Sequence, residues 1–298
     1  VDDRFFLDTA ALRRSFNQAA GSFDAAAVLH REVRQRALTR LQLLRAKPKV
    51  IVDLGAGTGH ASRWLKTQFP HAHVIAVDSA VAMLQESRRQ LGALRKLLRR
   101  GPNAVVGDAV ALPLRDVSVD WVFSNLMLPW CGSLAAVLAE IRRVLKPGGV
   151  VSFTTFGPDT LHELRAAWQA ADSRPHVHPF MDMHDVGDAL VHAGFADPVL
   201  DAERFTLTYR DVKALLLDLK ATGSRNALPL RARGLVSRSR FAKLAAAYEP
   251  YRQDGVLPVT YEVVYGQAWQ SDRPRKTEGG TETRVPIAAL RGRRREPG

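Results

Sequence analysis

The chain contains a single cysteine, Cys131, in 298 residues. One thiol excludes an intramolecular disulfide and a cysteine-built metal cluster, and its expected place is a small buried apolar site. No apolar run approaches the roughly 20 residues that a membrane-crossing helix requires, and the first residues lack an apolar signal core. The expectation is a soluble, cytoplasmic protein. Aromatic residues make up only 7% and are not interleaved with the basic stretches, so the stacking platforms of a nucleic-acid groove are missing there. Acids are scarce as well: 30 Asp and Glu stand against 43 Lys and Arg, for a net charge of +13. His176, His178 and His184 lie close in sequence, but no carboxylate or cysteine completes a ligand pattern with them, and no metal is expected.

What the chain does have is a substantial apolar fraction, 46% of its residues, enough for the core of one α/β domain with additions. The run Val50-Ile51-Val52 is β-branched and suits a strand buried on both faces, and it leads into Asp53-Leu54-Gly55-Ala56-Gly57-Thr58-Gly59. Glycines at this spacing let the backbone turn sharply and approach a ligand. A helix from His60 to Phe69 follows, then a strand from Ala72 to Val77 that ends at Asp78, where an acid can grip ribose hydroxyls. A third strand, Asn103 to Val106, ends in Gly107-Asp108-Ala109, and a fourth, Asp120 to Ser124, runs into Asn125-Leu126. Polar groups thus gather at one edge of one sheet. Plainer readings stand beside these: Asp53 as a turn former, Asp78-Ser79 as a helix cap, Met83 as core.

From Asp53 through the Leu145-Lys146-Pro147-Gly148-Gly149 turn to the strand Val150–Thr155, this ordered set resembles the class I S-adenosylmethionine-dependent methyltransferases. The resemblance implies a Rossmann-like α/β fold, a seven-stranded and mostly parallel sheet with helices on both faces. It also implies S-adenosylmethionine as cofactor. Asp53 and the turn Gly55, Ala56, Gly57 and Gly59 would pass under the methionine part. Asp78 with Ser79 would hold the ribose, Met83 would pack on the adenine, Asp108 and Ala109 would read its edge, and Asn125 with Leu126 would line the methyl side.

The remaining segments divide the expected architecture. Residues 1–46 read as an N-terminal helical cap, 47–208 as the cofactor-binding core, 209–258 as a helical lid, 259–270 as a closing strand and 271–298 as a disordered tail. That tail holds eight Lys or Arg and four acids, which leaves about +9 on the body. Within the lid, helices are expected from Asp211 to Ala221 and Ser237 to Tyr248; before it, from Asp159 to Ala171 and Met183 to His192.

Several outer segments carry a narrower likeness. Phe16-Asn17-Gln18-Ala19-Ala20 with Phe23-Asp24, Ser124-Asn125-Leu126 with Trp130-Cys131, Phe153-Thr154-Thr155-Phe156, Arg174-Pro175-His176, Leu219 to Gly223, Leu235 to Arg240 and Leu257 to Tyr261 resemble the malonyl-acyl-carrier-protein O-methyltransferases of biotin synthesis. Two departures are Phe23, where relatives often carry Tyr, and Leu128-Pro129-Trp130 in place of a Leu-Gln-Trp pattern. The resemblance implies methylation of the free carboxylate of a malonyl thioester on acyl carrier protein, an acidic partner that a basic surface including Arg95, Lys96 and Arg99 would receive. Substrate-side candidates are Phe23, Trp130, Arg165, His176, Arg210 and Arg225, with Arg174 as a further cation. Three other functions stay open from sequence. The Pro175-to-Phe180 element also resembles a respiratory-complex assembly relative acting on a protein arginine; a quinone-type methyltransferase and a non-catalytic binding module are the others.

Overall fold

A computed structural model describes residues 7–41, 47–91, 101–229, 231, 234 and 236–271. The expected docking residues Arg95, Lys96 and Arg99, and the tail after Ser271, lie outside these residues. The strands are β1 (Val50–Leu54), β2 (His73–Asp78), β3 (Asn103–Val106), β4 (Val119–Asn125), β5 (Leu145–Phe156), β6 (Phe195–Tyr209) and β7 (Leu257–Gln270). They form one sheet in the order β3-β2-β1-β4-β5-β7-β6, in which β1 to β5 pair in parallel and β7 is antiparallel to both its neighbours. The expected fold class is the observed one.

Sequence chemistry accounts for this arrangement. The central strands carry continuous apolar runs, and Ile51, Val52, Trp121, Val122 and Phe123 are all buried, as strands covered on both faces require. At the sheet edge, β6 instead alternates between more and less exposed residues along most of its length, the pattern of a strand with one wet face. Before β1 come α1 (Thr9–Ala19), the single turn α2 (Phe23–Ala26) and α3 (Val28–Leu41). The later helices are α4 (His60–Gln68), α5 (Val81–Arg89), α6 (Leu134–Val144), α7 (His162–Ala171), α8 (Met183–His192), α9 (Val212–Ala221) and α10 (Arg238–Tyr248). One core gathers Val33, Leu65, Trp121, Leu164 and Leu244 from α3, α4, β4, α7 and α10. A second gathers Val52, Val122, Ile141 and Leu190 from β1, β4, α6 and α8. Neighbouring residues of one strand serve different cores because successive side chains point to opposite faces.

Two boundaries differ from expectation for visible reasons. The helix expected from Asp159 begins at His162, because Thr160 and Leu161 donate to the carbonyls of Glu262 and Thr260 on β7 and are held out of the helix. The Lys146-Pro147-Gly148-Gly149 turn lies inside β5, where Leu145 pairs with Val119 and Val150 with Trp121, so the intervening residues bulge out of the ladder.

Candidate active site

At the C-terminal edge of the parallel strands lies a cavity of about 560 Å³, a size that suits a drug-sized ligand. Its floor is the turn after β1. Gly57 adopts φ 53°, and a Cβ built on it would meet nothing within 4 Å, so the backbone there faces open space in the cavity. Gly59, at φ 78°, precedes α4, and a Cβ on it would stand 1.9 Å from Ser87 Oγ on α5. One glycine is needed for the ligand side of the turn and the other for helix packing.

Asp78 joins the floor to the next wall. One carboxylate oxygen accepts from the Gly57 N–H at 2.8 Å and the other from the Ala80 N–H at 2.8 Å. Burial raises its pKa, and backbone N–H donation from Ala80, Gly57 and Ser79 opposes that. Three backbone donors leave about one of the carboxylate's four acceptor sites for a ligand hydroxyl. Local turn former and ligand acceptor are therefore compatible roles for the same carboxylate. Met83 shows the same duality, since it is only 2% exposed, packs with Ala19, Ala20 and Ala80, and still lines the cavity. Ser79, Asp108 and Ala109 continue this wall.

Asn125 and Leu126 close the far side. Leu126 is held at φ 53°, with its N–H donated to Thr154 Oγ1 at 2.9 Å, and the Thr154 hydroxyl donates in turn to Asn125 Oδ1 at 3.0 Å. Asn125 Nδ2 donates to the carbonyl of His30 at 3.3 Å, which ties α3 to the end of β4. The N-terminal segment roofs the cavity through Leu12, Phe16 and Phe23. Its attachment is polar: Asp24 accepts from Thr58 Oγ1 at 2.6 Å and Gln90 Nε2 at 2.5 Å, and lies 3.2 Å from His60 Nε2. Asn17 Oδ1 accepts from the Ala82 N–H at 2.8 Å, satisfying a donor in the first turn of α5.

Three expected cofactor contacts do not line the cavity. Asp53 is 1% exposed, and its carboxylate accepts a hydrogen bond from the Ser62 hydroxyl of α4. Burial pushes its pKa up to about 6, against the Ser62 hydrogen bonds, with the Asp78 charge adding and Arg34 subtracting. It braces the strand against the helix from beneath. Ala56 packs with Ala76 and Leu84 under the turn, and Gly59 faces α5.

A second cavity, of about 260 Å³, adjoins the first. His30 and Trp130 line both, whereas Phe23 lines only the larger and His176 and Arg225 only the smaller. Its walls are largely apolar, with Leu164, Trp168, Phe156 and Leu216 prominent. His176 stacks on Trp168 at 3.7 Å, and its Nε2 is 3.0 Å from Asp172 Oδ2. His178 is 6% exposed and sits edge-on to Trp130 at 5.0 Å and Phe180 at 4.8 Å. Its Nε2 is buried and has no hydrogen-bond partner among the described residues.

The four candidate arginines separate by position. Arg165 donates to the carbonyls of Pro158 and Thr160 at 3.1 and 3.0 Å, and so is committed to the loop before α7. Arg210 is exposed and pairs with Asp211 at 3.3 Å. Arg174 is exposed. Only Arg225 of the four lines the smaller cavity. The sequence reading passed over His30, and weighed His178 solely as a metal ligand, because neither sits in a spacing that carries a signal.

Comparison with known proteins places this geometry. Residues 52–153 match the methyltransferase domain family. A malonyl-acyl-carrier-protein O-methyltransferase of Laribacter hongkongensis is 50% identical over 93% of this chain and 94% of its own length. One of Halorhodospira halophila is 48% identical over 97% of both chains. Among solved structures, the YcgJ protein of Bacillus subtilis gives a TM-score of 0.54 at 13% identity, covering 80% of this chain and 98% of the other. A SAM-dependent methyltransferase of Thermotoga maritima gives 0.51 at 16% identity, covering 87% of this chain and 100% of the other. At those identities the solved structures speak to the fold alone.

Proposed function

This chain belongs to the malonyl-acyl-carrier-protein O-methyltransferase family, and we propose that it methylates the free carboxylate of a malonyl thioester carried on acyl carrier protein. The observation that carries this reading, beside the family, is the meeting of two cavities at His30 and Trp130: one is lined by the glycine turn after β1 and by Asp78, the other is a mostly apolar chamber with an arginine on its wall. S-adenosylmethionine, when bound in the larger cavity, supplies an electrophilic methyl on a positively charged sulfur that leaves as a neutral thioether. Gly57 would admit it without a Cβ in the way, Asp78 and Ser79 would take the ribose, Met83 would pack on the base with Asp108 and Ala109 at its edge, and Asn125 and Leu126 would border the methyl end.

The acceptor side asks little acid–base chemistry of the protein. A malonyl carboxylate is already ionised at pH 7, so no general base has to remove a proton. The work left is alignment and exclusion of water, and proximity alone can lower such a barrier by roughly 7–11 kcal/mol in ideal cases. Trp130, Trp168 and Phe156 keep the chamber dry, and Arg225 offers the charge that draws an anion in. His176, stacked on Trp168 and tied to Asp172, is a wall residue in this scheme, and Phe23 packs the roof against His30. Esterification removes the terminal charge, which lets chain-extending enzymes treat the end as apolar and fits a role in biotin synthesis. Carrier protein is acidic in this reading and meets the chain's positive charge, to which Arg95, Lys96 and Arg99 contribute. The curated relatives do not favour an arginine-modifying or quinone-type activity.

The test is direct. Purified protein, methyl-labelled donor and malonyl carrier protein should give label in a base-labile methyl ester on the acyl group. Label that is stable to base, or that appears on the carrier polypeptide itself, overturns the reading.

A further inference from the structure

The acceptor oxygen has to sit where the two cavities meet, and among the described residues His30 and Trp130 line both. Trp130 can give that point an apolar face and one indole N–H. His30 gives a ring with no hydrogen bond on either nitrogen among the described residues; its Nδ1 is sealed off without a partner, which leaves Nε2 as the nitrogen to meet a ligand. A ring nitrogen that no protein group engages, on a side chain lining both cavities, is available to a ligand there. Its position is fixed from three sides. The His30 carbonyl accepts from Asn125 Nδ2 at the donor end of β4, its ring lies edge-on to Phe23 at 5.2 Å, and α3 holds the backbone.

We propose that the His30 imidazole, as a neutral donor through its Nε2–H, hydrogen-bonds one oxygen of the acceptor carboxylate at the window between the two cavities and so orients the other oxygen toward the methyl group. This rests on the carboxylate-methylation reading above. The choice of group follows from charge. Methyl transfer removes the carboxylate's negative charge, so a full cation at the reacting end would hold the ground state more tightly than the transition state. A neutral imidazole orients the oxygen with less of that penalty, while Arg225 supplies attraction from the chamber wall. Burial together with the Arg34 charge holds the His30 pKa down at about 4, so the ring is uncharged at neutral pH. No proton moves in the step, and the imidazole ends it unchanged.

The experiment compares His30→Asn, which keeps an N–H donor, with His30→Phe, which keeps ring volume without one. Affinity for S-adenosylhomocysteine by calorimetry should stay within about threefold of wild type in both. Turnover of malonyl carrier protein should fall roughly 10- to 100-fold in kcat/KM for His30→Phe, the loss expected for a hydrogen bond to a charged group. His30→Asn should recover most of that loss. Equal activity of the two variants, or wild-type activity in His30→Phe, overturns the assignment. A reading free of substitutions is the ¹⁵N resonance of His30 in the wild-type complex with S-adenosylhomocysteine. It should move on addition of a malonyl thioester, and a stationary resonance also overturns the assignment. If the wild-type enzyme fails to esterify malonyl carrier protein, the underlying function fails instead, so the two failures are told apart.

Discussion

His178 shows how a single residue reports on the chamber it lines. Burial, with the Arg165 charge adding to it, holds its pKa down at about 4, while an unfolded chain would restore the ordinary value near 6.5. The folded form therefore binds fewer protons than the unfolded form between those values. Stability present above pH 6.5 is lost as pH falls through this window toward 4, by at most about 1.4 kcal/mol per pH unit for one such group. His178→Phe fits the edge-on place between Trp130 and Phe180 and should flatten that slope, measured by urea unfolding at pH 7 and pH 4.5. An unchanged difference between the two pH values would show that His178 does not titrate this way. Residues of this sort were beyond the sequence. His30 and His178 gain their meaning from helices and loops brought together across the sheet edge. Asp53 is the converse case: it sits in an acid-then-glycine motif, and strand alternation turns its side chain toward Ser62 on α4.

The turn between β1 and α4 is the element on which the donor side depends, and its glycines divide the labour. Gly57→Ala adds a methyl that meets no protein atom, so its stability cost is the left-handed backbone alone, about 1–2 kcal/mol. The added methyl stands in the cavity, and affinity for S-adenosylhomocysteine should fall tenfold or more. Gly59→Ala carries the same backbone cost and also drives Ser87 Oγ and Cβ out of place, adding about 1–3 kcal/mol of overpacking. Urea midpoints and calorimetric affinities should thus rank the two oppositely: Gly59→Ala less stable, Gly57→Ala the weaker binder where both fold. The reverse ranking would mean that the turn is oriented differently. Elements of this kind were readable in advance, because β-branched runs ending in acid and glycine leave few alternatives. The start of α7 was not, since Thr160 and Leu161 are withdrawn from the helix by partners on β7, a hundred residues away. The N-terminal segment was legible as helices, but Asp24's hold on Thr58 and Gln90 was not, because a single acid carries no pattern.

For the molecule as a whole, the parallel half of the sheet provides one edge on which β1, β2, β3 and β4 all end, and the segments outside the core cover that edge from two directions. The N-terminal helices roof the larger cavity, and α3, α7 and α9 with the loop through Arg225 enclose the smaller. Two ligand sites sharing one wall is the arrangement that a group transfer requires, since donor and acceptor must touch while water stays out. Every role given to the acceptor side presupposes that the larger cavity holds the donor. Isothermal titration of the folded protein with S-adenosylhomocysteine measures this most directly. The account predicts saturable uptake of one equivalent, weakened at least tenfold in Asp78→Ala. No heat of binding from the folded wild-type protein, or an isotherm that Asp78→Ala leaves unaltered, would contradict it.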